Sequence, residues 1–252
     1  MSVLQRDGTK IQYEVHGEGP CVLLTHGYAA SARMWDAQRV ALSAEYRPVL
    51  WNMRGHGESD APGDVSAYSA EATVADMAAI LDACGEAQAV IAGMSLGGYM
   101  SLDFHRAHPA RVRALVLVDT GPGFRNADAR TAWNGYALAT AERYARDGLR
   151  ALPSSPEVAS ASHRSARGLE LAARGMLVQH DARVIESLRR IVVPTLIVVG
   201  AEDKLFLDAA DYMARVIPGA IKRVIAKAGH APNVERPEAF NDVLLDFLKS
   251  LS

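Results

Sequence analysis

A serine flanked by glycines lies near the middle of the chain, within Gly93-Met94-Ser95-Leu96-Gly97-Gly98. An apolar run over 89–92 precedes it, and a helical pattern over 96–108 follows it. A strand, a tight turn and a helix in this order expose the serine hydroxyl on a sharp corner, because glycines let the strand and the helix approach closely. The pattern therefore predicts a nucleophile elbow at Ser95, with the amides of a helix N-terminus beneath the hydroxyl.

A serine hydroxyl becomes a useful nucleophile when a base takes its proton and an acidic group orients that base. Asp203 follows the apolar run 194–200, and His230 lies on the loop between the last predicted strand and the last predicted helix. The sequence thus predicts a catalytic triad of Ser95, Asp203 and His230. Two other residues are alternative acids, namely Asp119, which also ends a strand, and Glu202. The non-catalytic alternative for Asp203 is that it caps the N-terminus of a helix.

The oxyanion formed by nucleophilic attack needs hydrogen-bond donors that are already in place, and one such donor can be worth about 10²–10³ in rate. We predict two backbone N–H donors, those of Leu96 and Tyr28. The second follows His26-Gly27 at the end of the third predicted strand. The nearby loop Arg54-Gly55-His56-Gly57 is interpreted as structural, with a place at the pocket border as the alternative.

Length, composition and net charge restrict the class of protein. A chain of 252 residues, 49% hydrophobic and with a net charge of −2, suits one large α/β domain with an insertion and gives no electrostatic reason to expect nucleic acid or an anionic membrane as partner. The N-terminus lacks the apolar stretch of a signal peptide, so we expect a cytoplasmic protein. We expect it to be a monomer or a homodimer. Cys21 and Cys84 are predicted to be free thiols, and no Cys/His spacing indicates zinc. We expect neither a metal nor a cofactor.

Predicted strands alternate with predicted helices, which favours a mostly parallel sheet covered on both faces. Residues 121–191 break this pattern, because they contain no convincing strand. Their eleven arginines, no lysine and seven acidic residues give a net charge of +4, against −6 for the rest of the chain. We therefore predict a core domain of residues 1–120 and 192–252 and a helical cap of residues 121–191.

Together these motifs resemble the α/β-hydrolase fold superfamily, which uses the order Ser, Asp, His. The resemblance is carried by His26-Gly27-Tyr28, Arg54-Gly55-His56-Gly57-Glu58-Ser59, Gly93-Met94-Ser95-Leu96-Gly97-Gly98, Gly200-Ala201-Glu202-Asp203 and Gly229-His230. It implies an eight-stranded sheet with an antiparallel second strand and a mobile lid after the sixth strand. Within the superfamily, the stretches 93–100 and 172–181 make the chain similar to small carboxylesterases and 3-oxoadipate enol-lactonases.

The predicted function is hydrolysis of a small-molecule carboxylic ester or lactone by a serine hydrolase, through an acyl-enzyme. A serine rather than an aspartate nucleophile argues against haloalkane dehalogenases and epoxide hydrolases. Two alternatives keep the same triad, namely a C–C bond hydrolase of aromatic ring-cleavage products and a non-catalytic ligand receptor. A dinucleotide-binding module is disfavoured because the G-x-G-x-x-G spacing is missing.

Apolar side chains near the predicted site are candidates to line a substrate pocket. They are Met34, Trp35, Met94, Phe124, Trp133, Tyr136, Leu138 and Phe206. Arg125 and Arg130 are candidates to pair with an anionic substrate, with solvated surface as their simpler interpretation.

Overall fold

The computed structural model describes residues 2–251. Its centre is one eight-stranded sheet in the order β1-β2-β4-β3-β5-β6-β7-β8. The strands are β1 Ser2–Arg6, β2 Thr9–Val15, β3 Cys21–Thr25, β4 Arg47–Trp51, β5 Ala89–Met94, β6 Val112–Val118, β7 Thr195–Gly200 and β8 Ile221–Ile225. Strand β2 is antiparallel to both of its neighbours, and the other pairs are parallel. The predicted mostly parallel eight-stranded sheet is confirmed.

The first two strands form a hairpin at Asp7-Gly8, where both residues adopt positive φ angles of 48° and 74°. This conformation is typical of the two-residue turns that match strand twist. The central strands β3, β5 and β7 are buried along their whole length, as their continuous apolar sequences require. Because the central strands are parallel and in register, their carboxyl ends meet at one edge of the sheet.

Within the described residues, ten α-helices accompany the sheet. They are α1 Asp36–Leu42, α2 Ala70–Ala83, α3 Leu96–Ala107, α4 Ala127–Asp147, α5 Pro156–Ala159, α6 Ala166–Ala172, α7 Arg183–Ser187, α8 Leu207–Val216, α9 Pro232–Glu235 and α10 Pro237–Lys249. Side chains of α2, α3 and α8 pack on one face of the sheet, and side chains of α1 and α10 pack on the other. The sheet is therefore the middle layer of three.

The segment of residues 121–191, which we call the helical segment, contains α4 to α7 and no strand. A π-helical turn over Ala173–Leu177 follows α6 directly. The segment is tied to the rest of the chain by specific bonds. The Tyr28 hydroxyl donates to the Leu169 carbonyl at 2.8 Å, and Arg183 pairs with Glu71 at 2.6 Å. The separation into core and cap domains stays a prediction.

The loop around Arg54 is anchored by an ion pair, and its His56 ring lies 5.0 Å from the His26 ring and 5.7 Å from the Tyr28 ring, measured between centroids. The Arg54 guanidinium is buried and makes two hydrogen bonds to the Asp76 carboxylate, at 2.7 and 2.9 Å. This bidentate geometry fixes the loop between β4 and α2.

Both cysteines are free. Within residues 2–251, no helix combines the length and the apolar character needed to cross a membrane.

Candidate active site

Ser95 occupies a strained corner between β5 and α3. Its φ of 52° and ψ of −118° lie outside the regions that residues with a side chain normally adopt. The neighbouring glycines make the corner possible. A Cβ on Gly93 would lie 2.1 Å from the Gly97 carbonyl oxygen, and one on Gly97 would lie 2.3 Å from the Thr25 carbonyl oxygen. The sequence pattern at this position thus has a direct steric cause.

Two backbone N–H groups lie free beside Ser95. Leu96 is the first residue of α3, so its N–H has no acceptor within the helix. The Gly27 backbone passes close to the serine, because a Cβ on Gly27 would lie 3.4 Å from Ser95 Cβ. The hydrogen bonds of residues 2–251 include none donated by the N–H of Tyr28 or Leu96. These donors are available to an oxygen atom of a ligand.

A buried histidine fixes the peptide that carries the first of these donors. His26 Nε2 accepts from the Met53 N–H at 3.0 Å, so the proton of the neutral ring is on Nδ1, which donates to the Gly27 carbonyl at 2.7 Å. Complete burial lowers the pKa of His26 to about 3 and keeps the ring neutral. The ring thereby holds the Gly27–Tyr28 peptide in one orientation. The sequence predicted the Tyr28 donor after His26-Gly27 but no role for the His26 ring itself.

Asp203 and His230 form a hydrogen-bonded pair after β7 and β8. His230 Nδ1 lies 2.7 Å from Asp203 Oδ2, and Asp203 Oδ1 accepts from the Leu205 N–H at 3.3 Å. Burial alone would raise the pKa of the Asp203 carboxyl, but the hydrogen bond and the charge of His230 hold it below its ordinary value. The His230 side chain is 34% exposed, and its ring stacks on Phe206 with 5.1 Å between centroids. The imidazole is thus oriented by a carboxylate and still reachable from outside.

Asp119, the competing acid, is the third member of this polar cluster. Ligand atoms of Asp119, Asp203 and His230 all lie within 4.8 Å of one another. Asp119 Oδ1 accepts from the Gly200 N–H at 3.0 Å, while Oδ2 is buried without a partner. Burial raises the pKa of Asp119 to about 9, so this carboxyl keeps its proton at neutral pH. The nearby Asp203 carboxylate adds to this rise, because an ionised Asp119 would place a second negative charge beside it.

A cavity of about 160 Å³ lies beside Ser95, between the sheet edge and the helical segment. The sheet side contributes Ser95, Leu96 and Thr120, among others, and the helical segment contributes Trp133, Met176 and Gln179. Phe206 also lines this cavity, so one ring contacts both the cavity and His230. The hydrogen bonds within residues 2–251 include none between Ser95 Oγ and the His230 ring. Catalytic hydrogen bonds are often longer when no substrate is bound.

Of the eight predicted lining residues, three line this cavity and five do not. Phe124, Trp133 and Phe206 line the cavity. Five residues lie elsewhere, with three in the apolar core (Met34, Trp35, Met94) and two exposed on α4 (Tyr136, Leu138). Hydrophobicity and nearness in sequence cannot distinguish the two faces of a helix or of a strand, which explains the error.

Our sequence reasoning missed several lining residues, including Tyr99, Thr120, Met176, Leu177 and Gln179. Tyr99 had a usable signal, since it lies one helical turn after Ser95 on α3. Neither Arg125 nor Arg130 lines the cavity. Arg125 is exposed, and Arg130 donates to the Phe124 carbonyl at 3.0 Å. The pairing of these arginines with a substrate in this cavity is therefore not supported.

The fold agrees with the comparisons with known proteins. Residues 22–243 match the family described as Alpha/beta hydrolase family. The chain belongs to this family. It is 28% identical over 264 residues to a putative 2-succinyl-6-hydroxy-2,4-cyclohexadiene-1-carboxylate synthase of Bacillus subtilis (strain 168), with 96% of each chain covered.

Two further similarities concern the kinds of relative expected from the sequence. A 3-oxoadipate enol-lactonase of Acinetobacter baylyi is 27% identical over 271 residues, covering 99% of this chain and 97% of the relative. A solved structure of a thermophilic esterase from Thermogutta terrifontis, with malate bound, superimposes with a TM-score of 0.83 at 29% identity, covering 96% of this chain and 94% of the esterase. The family and these relatives support a hydrolase activity.

Proposed function

We propose that the protein is a serine hydrolase that cleaves a carboxylic ester or lactone through an acyl-enzyme. The observation that carries this proposal is the strained Ser95 with two free backbone donors beside it, at the sheet edge that also bears the Asp203–His230 pair. The names of the esterase and lactonase relatives support the choice of ester and lactone. The proposed reaction requires neither a metal nor a cofactor.

Acylation begins with a proton transfer. His230 Nε2 accepts the proton of Ser95, whose oxygen attacks the substrate carbonyl and forms a tetrahedral intermediate. The N–H groups of Leu96 and Tyr28 donate to its oxyanion, and the Asp203 carboxylate stabilises the imidazolium. The C–O bond to the alcohol then breaks, and the leaving oxygen takes the proton from His230. In a lactone, this alcohol remains attached to the acyl group.

Deacylation would use the same groups with water in place of the serine. His230 takes a proton from water, the hydroxide attacks the acyl carbonyl, and the same two N–H donors bind the second oxyanion. Collapse of this intermediate returns the proton to Ser95 Oγ and releases the carboxylic acid. We also infer that residues 121–191 act as a cap, because Trp133 and Gln179 close the side of the cavity opposite the sheet.

The direct test is labelling with a fluorophosphonate probe followed by peptide mapping. We expect covalent modification of Ser95 in the wild-type protein. Ser95→Ala should remain unlabelled, with kcat for a p-nitrophenyl ester lowered by about 10⁴-fold or more, since the nucleophile is gone.

A matched control replaces an exposed serine. Ser66→Ala should label and turn over like the wild type, because the Ser66 side chain is exposed and does not line the cavity. Labelling at another residue, or near wild-type turnover by a folded Ser95→Ala protein, would show that Ser95 is not the nucleophile.

A further inference from the structure

One side-chain amide stands in the wall of the otherwise mostly apolar cavity. Gln179 is only 8% exposed, and its Oε1 is buried without a hydrogen-bond partner. Its Nε2 also forms no hydrogen bond to residues 2–251. Oε1 is fully buried and out of reach of a ligand, whereas Nε2 is not fully buried and is the amide atom that a ligand in the cavity can reach. An N–H donor in a cavity wall without a protein partner is free to bind an acceptor.

The position of this amide is well defined by its surroundings. The Gln179 backbone is held on both sides by one residue of α4, because its N–H donates to Asn134 Oδ1 and its carbonyl accepts from Asn134 Nδ2, each at 2.8 Å. The amide oxygen packs over Gly123, where a Cβ would lie only 2.7 Å from it. Gly123 thus provides the space that the amide occupies. The chain positions a hydrogen-bonding group in the cavity wall and leaves it without an internal partner.

The charge of the cavity restricts what this amide can bind. No Asp, Glu, Lys or Arg side chain of residues 2–251 lines the cavity. A buried carboxylate without a cation would be costly, so the group bound there must be neutral. The volume of about 160 Å³ is close to that of a cavity known to hold benzene, which corresponds to a group of roughly six or seven non-hydrogen atoms.

We propose that Gln179 donates a hydrogen bond to a neutral acceptor oxygen in the substrate, so that the preferred ester or lactone carries a ketone, ether or amide oxygen in the group that fills this cavity. This inference rests on the proposed hydrolase function. It assigns substrate selectivity to the helical segment, through a residue that takes no part in the bond-making steps.

The test compares two p-nitrophenyl esters of nearly equal shape, the 4-oxopentanoate and the 4-methylpentanoate, which differ by a carbonyl oxygen in place of a methyl group. After correction for their rates of alkaline hydrolysis, the wild type should favour the oxo ester in kcat/KM by about tenfold or more, the effect of one hydrogen bond. Gln179→Met, which keeps the length and removes the amide, should bring this ratio close to one. Gln5→Leu, which changes an exposed glutamine on β1, should leave the ratio as in the wild type.

A binding measurement separates this proposal from the proposed mechanism. In the Ser95→Ala background, methyl 4-oxopentanoate should bind more tightly than methyl 4-methylpentanoate, followed by the fluorescence of Trp133 in the cavity wall. Adding Gln179→Met should abolish this difference. Equal affinities in the Ser95→Ala protein, or a preference that survives Gln179→Met, would overturn the role of Gln179 whatever the nucleophile is.

Discussion

The two sides of the cavity are built differently. The sheet edge contributes polar groups on strained backbone, since Ser95 and Asp119 have φ angles of 52° and 40°. The helical segment contributes neutral side chains from α4, from the π-helical turn and from non-helical stretches, and nine of its eleven arginines are exposed. In the proposed mechanism, reacting groups come from strand ends, where position is fixed by the whole sheet, and selectivity comes from a separate segment that can vary independently.

This difference also separates two kinds of polar residue. At the sheet edge, Asp203 and His230 satisfy each other through a 2.7 Å hydrogen bond. In the helical segment, the amide of Gln179 has no partner. A hydrogen-bonded pair such as Asp203–His230 is suited to a defined proton transfer, whereas an amide without a partner, such as that of Gln179, is suited to binding a ligand. Substitutions on the two sides of the cavity should therefore have different kinetic consequences.

The largest expected effect distinguishes the two acids of the sheet edge. Asp203→Asn should lower kcat by about 10³–10⁴-fold, because the amide favours the wrong tautomer of His230 and cannot stabilise the imidazolium. Asp119→Asn should lower kcat by less than about tenfold, because a neutral amide of similar shape replaces a carboxyl that is already neutral. Steady-state kinetics with a p-nitrophenyl ester measure both. The opposite ranking would make Asp119 the catalytic acid.

Asp119 shows how far the sequence alone could decide between these acids. Both aspartates follow apolar strands, so pattern alone placed both at the same edge. What distinguishes them is environment: the Asp119 carboxyl is buried with one oxygen unpaired, and Asp203 receives the imidazole. Burial and hydrogen bonding arise from tertiary packing, which local sequence does not encode.

The fold was predictable because its determinants are local. Continuous apolar strands, the Asp7-Gly8 turn and the glycines around Ser95 each have a direct steric or hydrophobic cause. The cavity lining was predicted less well, because Trp133 and Tyr136 lie three residues apart on α4 and only the first lines the cavity. Their roles depend on how α4 lies against the rest of the chain.

An intermediate effect is expected on the helical side. Trp133→Ala should raise KM for an apolar ester about tenfold while changing kcat less, because it removes apolar contact area that binds ground state and transition state alike. Tyr136→Ala is the matched control on the same helix, since its side chain is 56% exposed and outside the cavity lining. Michaelis–Menten kinetics for both variants measure the difference. Equal changes in KM would indicate that α4 acts through its fold and not through contact with substrate.

A further expected effect concerns stability and follows from the proton on Asp119. The folded-state pKa of about 9 exceeds the ordinary value of 3.8, so between these values the folded protein keeps a proton that the unfolded chain releases. The free energy of unfolding contributed by this group is therefore complete below the lower value and is lost as the pH rises toward the upper one. An asparagine side chain has no such proton to release, so Asp119→Asn should gain stability relative to the wild type between about pH 5 and pH 8, by at most about 1.4 kcal/mol per pH unit.

Urea unfolding followed by circular dichroism at the two ends of that range measures this gain, and other titrating groups cancel because both proteins contain them. A difference that does not change with pH would mean that Asp119 is ionised in the folded protein. Two neighbouring carboxylates would then both be charged beside His230, and a difference in protonation could no longer assign the catalytic acid to Asp203.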